Sequence, residues 1–468
     1  MKAFTKVASV FSLFKQAVLG TEQNFTQGSI NKALFLLSVP MILEMGMESV
    51  FAVVDIFFVS MLNSKEAVAA VGTTELILTI IYSVAMGLGM GATAMVSRRI
   101  GESNQEGATV AATQAIYIGL FSIVVFTIVG LFFYEDLLAL LGASKEVIAI
   151  GSGYTQLMLG GNIVIVLLFL INGIFRGAGN AAIAMRALIL ANLLNIVLDP
   201  LFIFGLGPVP AMGVKGAALA TTIGRGIGVL YQLYYLFNKK GIIKIRKDHF
   251  KPDWNIIISL LKLSAGSTGQ FIISSASWIV LGAILNRFGS ATFAGYTFAI
   301  RVMVFTLLPS FGLANAAATL VGQNLGAGYP DRAEKSVWQA GLMNMLFLSI
   351  VMVVFLLFSS SIIGVFTTDT EVIGYGSQAL QIVALGYVFY GYGMVITQSF
   401  NGAGDTFTPT LLNFLGFWCF QIPLAYLLAL KWKLGPVGVY AAISIAESAL
   451  AIAGILIFRR GKWKLVKI

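Results

Sequence analysis

Apolar runs of more than 20 residues recur along nearly the whole chain, and each is long enough to cross a bilayer, which takes about 20 residues. The runs show no strand-like alternation, so they read as helices rather than barrel strands. Of the 468 residues, 58% are hydrophobic and 11% charged. A soluble domain carries about 25% charged residues. The fold class is therefore an all-α polytopic membrane protein.

Twelve spans are predicted, at about 34–60, 67–97, 109–133, 147–172, 181–205, 215–238, 255–285, 291–321, 335–366, 373–399, 408–430 and 437–458. Residues 1–30 form an N-terminal amphipathic segment in which Phe4, Val7, Phe11, Phe14 and Val18 recur at helical spacing. Residues 31–238 form an N-terminal six-helix lobe, 239–254 a basic linker, 255–459 a C-terminal six-helix lobe and 460–468 a basic tail. The linker carries Lys239, Lys240, Lys244, Arg246, Lys247 and Lys251, and Arg98, Arg99, Arg332 and Arg459 fall on the same side. The positive-inside rule places both termini and the linker in the cytoplasm of a multi-pass protein of the plasma (inner) membrane. The net charge of +10 then reflects basic loops facing membrane lipid, with no nucleic acid as partner.

The two halves resemble each other at an offset of about 225. RGAGN at 176–180 matches NGAGD at 401–405, GP at 207–208 matches GP at 435–436, and MGVKGAA at 212–218 matches VGVYAAI at 437–443. Six spans per half means parallel repeats, hence two pseudo-symmetric bundles. In this register Asp55 corresponds roughly to Val280 and Asp199 to Ile422. A residue needed only by the fold tends to recur in both halves, so the two aspartates point to function.

Charges inside the spans carry the chemistry. The first span holds Glu44, Glu48 and Asp55, four and then seven residues apart, roughly on one helix face. A charge at membrane depth costs at least ~2.5 kcal/mol and normally faces the protein interior or a water-filled path. Asp55 is the deepest of the three. Glu44 and Glu48 are secondary candidates, for which snorkelling or pairing with a base is the alternative. In the fifth span Asn192, Asn195 and Asp199 share a face, and Pro200 removes a backbone hydrogen bond, marking a conformational hinge. A carboxylate, an amide and a freed carbonyl suit a proton or a hard cation such as Na⁺. Interhelical polar contact is the alternative, and the better one for Asn192. Glu75, Glu447, Arg225, Lys262 and Arg301 are expected to pair or snorkel.

One cysteine, Cys419, and one histidine, His249, make a zinc or iron–sulfur centre improbable. No Walker motif is present, and Gly87, Gly89 and Gly91 lie inside a span, where they suit close helix packing. The expectation is a transporter, not an enzyme, with no cofactor beyond a coupling ion.

Asp55 in VDIFFVSML, the AVAAVG segment after it, RGAGN, NIVLDPLFIFG and MGVKGAALAT resemble the multidrug and toxic compound extrusion (MATE) family over nearly the whole chain. The resemblance implies an efflux antiporter that expels cationic or amphipathic organic compounds in exchange for H⁺ or Na⁺, with two six-helix lobes around a cleft. It implies an ion-coupling and substrate site at Asp55, Asn195, Asp199 and Thr221, with Asn172 as a further member and Na⁺ at the first four. Some members place acids in spans seven and ten. FIISSASWIV and YVFYGYGMVITQSF here contain none, so a C-lobe ion site of that kind is not expected. The protein is expected to act as a monomer. The competing readings are a flippase for lipid-linked sugar precursors, which needs cleft-facing Arg or Lys, and an ion channel, which needs a ring of subunits around a filter.

Overall fold

A computed structural model describes residues 2–20, 25–238 and 241–468, with side chains from Phe11 onward except Ala52. The predicted positions Phe4 and Val7 therefore lie outside the described side chains, as do Lys239 and Lys240. The chain is helical throughout: α1 Lys2–Leu19, α2 Ile30–Ser60, α3 Lys65–Gly101, α4 Gln105–Phe132, α5 Tyr134–Leu140, α6 Lys145–Gly160, α7 Ile163–Gly177, α8 Ala181–Phe204 and α9 Val214–Phe237. The second half continues with α10 Trp254–Asn286, α11 Ser290–Gly326, α12 Pro330–Gly364, α13 Thr370–Ala384 and α14 Tyr387–Ala403. The eleventh span, Phe407–Lys431, contains π-helical turns, and the twelfth is Pro436–Arg459. By length and composition, nine helices among the described residues can cross a membrane, or ten with the bent α13–α14 pair taken as one span. With α2 and α9 the helices make up two six-span bundles.

Polar residues set where the helices begin. Ser64 Oγ accepts from the Ala67 amide at 3.1 Å, and Asn104 Oδ1 accepts from that of Gly107 at 2.7 Å. Each satisfies one of the donors that a helix N-terminus leaves unpaired.

The fourth span of each half is broken, at Gly161–Asn162 between α6 and α7 and at Leu385–Gly386 between α13 and α14. The second break bends the chain by 61°. Turn geometry repeats as well. Gly179 and Gly404 both have positive φ, as do Asn63 and Gly289, Ser103 and Gly328, and Gly213 and Gly435. The sequence register needs adjustment in three places. Asn286 ends α10 as Ser60 ends α2, so Asp55 corresponds to Leu281 rather than Val280. Gly216 abuts Phe202 as Gly438 abuts Leu428, so Asp199 corresponds to Ala425 rather than Ile422. The loop before the twelfth span is shorter than the one before α9. Gly213 therefore matches Gly435, and both the GP match and the match of 212–218 with 437–443 are out of register.

The chain forms two compact units, cut differently from the predicted lobes. The first comprises Met1–Asn24 and Leu43–Thr268, the second Phe25–Ile42 and Gly269–Ile468. Glycines explain the difference. A Cβ on Gly87 would lie 2.1 Å from Thr268 Oγ1, and one on Gly91 2.5 Å from Ser264 Oγ, so the start of α10 packs in the first unit. A Cβ on Gly312 would lie 2.7 Å from the Ile42 amide, so the start of α2 packs in the second.

The linker and tail are more than charged loops. Gln114 Nε2 donates to the Lys251 carbonyl at 3.0 Å and Tyr117 Oη to that of Phe250 at 2.7 Å, and His249 is buried. In the tail, Trp463 stacks on Phe458 with ring centroids 4.5 Å apart, and Lys464 pairs with Glu334 at 2.6 Å. In α1, Phe11 and Phe14 are exposed and Ala17 is buried.

Gly177 and Gly402 hold equivalent positions as the first residue of each GAG turn, facing the carbonyls of Thr93 and Ala318, which are themselves equivalent. A Cβ on Gly402 would lie 2.2 Å from the Ala318 oxygen, so Gly402→Ala must push α14 from α11 at a cost of about 1–3 kcal/mol. A clear fall in melting temperature of the purified protein in detergent is expected. Gly269→Ala, where the nearest neighbour is a Thr410 methyl at 3.5 Å, should melt like the parent.

Candidate functional site

The acids of α2 lie one above another on one face, and the first unit supplies each with a different partner. Glu44 is fully buried. Its Oε1 accepts from Asn172 Nδ2 at 2.9 Å and meets Arg176 Nη1 at 3.4 Å, both on α7. Gln232 of α9 donates to the Asn172 carbonyl oxygen. One turn on, Glu48 Oε1 lies 2.7 Å from Arg225 Nη2 of α9. The Arg225 guanidinium also stands over the rings of Phe51, at 4.5 Å, and Tyr82, at 5.5 Å, a cation–π arrangement that suits a desolvated arginine.

Two turns further, no ion pair reaches Asp55 among the described residues. Thr221 Oγ1 of α9 donates to Asp55 Oδ2 at 2.9 Å. Asn195 Nδ2 of α8 donates to Asp199 Oδ1 at 3.1 Å and to Thr221 Oγ1 at 3.5 Å. Thr221 and Asn195 thus link the Asp55 and Asp199 carboxyls. Asn195, Asp199 and Thr221 are buried, and Asp55 is partly so. Two acids thus share a pocket with neutral donors only. Asp55 Oδ1, Asn195 Oδ1 and Asp199 Oδ2 are buried without a hydrogen-bond partner. Two carboxylates and an amide carbonyl are hard oxygen donors, so this set fits a proton or a small hard cation. Among the described residues no group of three or more His, Cys, Asp or Glu could hold a metal. A bound Na⁺ would therefore rely on the Asn195 and Thr221 oxygens as well.

Of the residues singled out in the sequence, the structure gathers Asp55, Asn195, Asp199 and Thr221. It places Asn172 with Glu44 instead, because Asn172 and Arg176 are one turn apart on α7 and face the same carboxylate. Asn192 turns back to its own helix, donating to the Leu188 carbonyl at 2.9 Å. Pro200 lies inside the continuous helix α8. Arg225 pairs as expected. Glu75, Lys262 and Arg301 are exposed. Glu447 departs from expectation: it is buried, and among the described residues no ion pair reaches it. Arg176 and Gln232 were missed. The RGAGN turn masks Arg176 as a loop residue, although its spacing from Asn172 marks it as interior.

The Glu48–Arg225 pair yields a stability test. Removing one partner of a buried pair leaves an unpaired charge and costs about 3–5 kcal/mol, whereas replacing both by apolar residues is often neutral. Arg225→Met should lower the melting temperature sharply, and the double variant Glu48→Met/Arg225→Met should recover most of the loss. Equal loss in both would show that the pair does not carry this energy.

Comparison with known proteins gives a consistent answer. The MatE family model matches residues 40–201 and 267–427. The chain is 26% identical to the "probable multidrug resistance protein NorM" of Thermotoga maritima, covering 97% of each chain. It resembles, at a TM-score of 0.89 and 29% identity, a MOP superfamily transporter from Pyrococcus furiosus described as having a binding pocket of reverse polarity that suggests a different function. The match covers 97% of this chain and 98% of that one. It also resembles a MATE solved in a bent conformation, at a TM-score of 0.88 and 29% identity over 96% of this chain and 98% of that one.

Proposed function

The chain belongs to the MatE family, and we propose that it is a multidrug efflux antiporter, exporting cationic or amphipathic organic compounds in exchange for H⁺ or Na⁺. The observation that carries this reading is the Asp55–Asp199 pair, two carboxyls in one pocket without a basic partner. Such a pair binds its protons as a coupled unit. It can exchange them for another cation.

In the outward-facing state the two carboxyls share one proton, and a further external proton or Na⁺ neutralises the remaining charge. The neutral pair favours repacking of α2, α8 and α9, with a change of bend at Pro200, and a cationic compound leaves. On the inward side the ion departs, the negative charge returns, and a new organic cation binds. Compound and ion thus compete for one charge through a two-state element, as antiport requires. The bent conformation of the solved relative supports such an element. The protein acts as a monomer in the inner membrane with both termini cytoplasmic. The flippase reading is disfavoured because Arg176 and Arg225, the buried bases near these acids, are each held by a glutamate, which leaves neither free for a pyrophosphate.

Asp55→Asn fixes the neutral state. Drug resistance and gradient-driven efflux should be lost at normal membrane expression, and fully coupled efflux in Asp55→Asn proteoliposomes would refute the mechanism. Asp199→Asn and Asn195→Ala should weaken ion coupling in a protein that still folds. Wild-type rates under a limiting ion gradient would remove the assigned role. Collapse of dye efflux on adding a protonophore identifies H⁺ as the coupling ion, and collapse on removing sodium identifies Na⁺.

A further inference from the structure

Unit two repeats the frame of unit one but changes its charges. Gln270 and Asn401 occupy the positions of Glu44 and Arg176, and they exchange hydrogen bonds of 2.9 and 3.1 Å. An ion pair in one unit is thus a neutral amide pair in the other. Leu281 and Ala425, both fully buried, replace Asp55 and Asp199. The middle rung is different. Ser274 lies twelve residues before the end of α10, as Glu48 lies twelve before the end of α2. Glu447 lies twelve residues after Gly435, as Arg225 lies twelve after Gly213. The arginine–glutamate pair has become a glutamate facing a serine.

Glu447 and Ser274 both line one cavity of about 110 Å³. At roughly 30 Å³ per water this is room for a group of several heavy atoms. Phe271, Phe311, Tyr390 and Phe417 form much of its wall. Two of the lining amides are engaged, Gln270 with Asn401, and Gln398 Oε1 as acceptor of an Asn401 N–H at 3.1 Å, and Asn413 also lines the wall. Glu447 is therefore the only ionisable carboxylate or base in the lining, and no cation within the described residues reaches it. A bare hard cation takes six or more oxygen ligands, and this wall combines one carboxylate with four aromatic and several aliphatic side chains. Aromatic side chains in the same wall as a carboxylate suit an alkylated ammonium.

We infer that the Glu447 cavity is a binding subsite for small organic cations, whose ammonium head faces Glu447 from the Ser274 side, where Glu48 stands opposite Arg225 in the first unit. The inference rests on the proposed handling of organic cations but is tested at equilibrium, without an ion gradient. A failure of coupling at Asp55 would therefore leave the result intact.

The test is saturable binding of radiolabelled tetramethylammonium to the purified full chain, a probe whose charge is independent of pH. Glu447→Gln, nearly isosteric, should weaken binding at least tenfold with an unchanged melting profile. Glu447→Asp should retain part of the affinity. Ser274→Lys supplies an internal cation opposite an intact Glu447 and should abolish binding by occupying the slot. Wild-type affinity in Glu447→Gln, or undiminished binding in Ser274→Lys, overturns the inference. So does the absence of saturable tetramethylammonium binding by the parent protein.

Discussion

A carboxylate within a membrane span must be neutralised by something, because leaving it charged among apolar groups is too costly for a fold to carry. The first unit is arranged around that requirement three times over, on one face of α2. Glu44 takes Arg176, Glu48 takes Arg225, and Asp55, beside Asp199 and neutral donors, is left to a proton or a mobile cation. The partners come from α7, α8 and α9, so the relative placement of four helices depends on these contacts. Glycine allows the approach. A Cβ on Gly173 of α7 would lie 2.1 Å from the Gly89 carbonyl oxygen of α3, and Thr93 donates to the Gly173 carbonyl at 2.9 Å. Close backbone packing of this kind is how membrane helices associate without a hydrophobic driving force.

The duplicated frame separates what the fold needs from what the chemistry needs. Broken fourth spans, positive-φ turns and the facing glycines Gly177 and Gly402 recur in both halves. The charges do not. At the first rung an ion pair and an amide pair bridge equivalent helices, so the bridge is structural and its charge is optional. At the third rung Leu281 and Ala425 show that the bundle closes without acids. Asp55 and Asp199 are therefore not demanded by packing.

Span count, fold class and the deep acids were legible because hydrophobic runs and charges within them are local features of the chain. The cluster of Asp55, Asn195, Asp199 and Thr221 was reached by the spacing on α8 together with family resemblance. Three things were not legible. Arg176 looked like part of a turn, since its burial depends on Glu44 more than a hundred residues away. The ends of the compact units were not legible because α2 and α10 each run through two packing environments, set by glycines on other helices. Glu447 was expected to pair or snorkel. That expectation failed because a partner is a property of the fold, and the register that puts Ser274 opposite it follows from loop lengths rather than from local sequence.

The three rungs also differ in what they can do with a passing cation. An acid already held by arginine gains little from a second cation, and releasing the arginine would expose a buried charge at about 3–5 kcal/mol. The two paired rungs are therefore fixed. Asp55 and Asp199 have no such commitment, so an arriving cation gains their full attraction. Moving a two-state protein from one part in a hundred to ninety-nine requires about 5.5 kcal/mol of differential binding. A charge mismatch at this largely buried pair is large enough to supply it, where exposed ion pairs, worth roughly 1 kcal/mol or less, are not. The bare third rung is thus the element of the first unit able to drive a conformational change, and the arginine-bound rungs above it keep the surrounding helices in register while it does so.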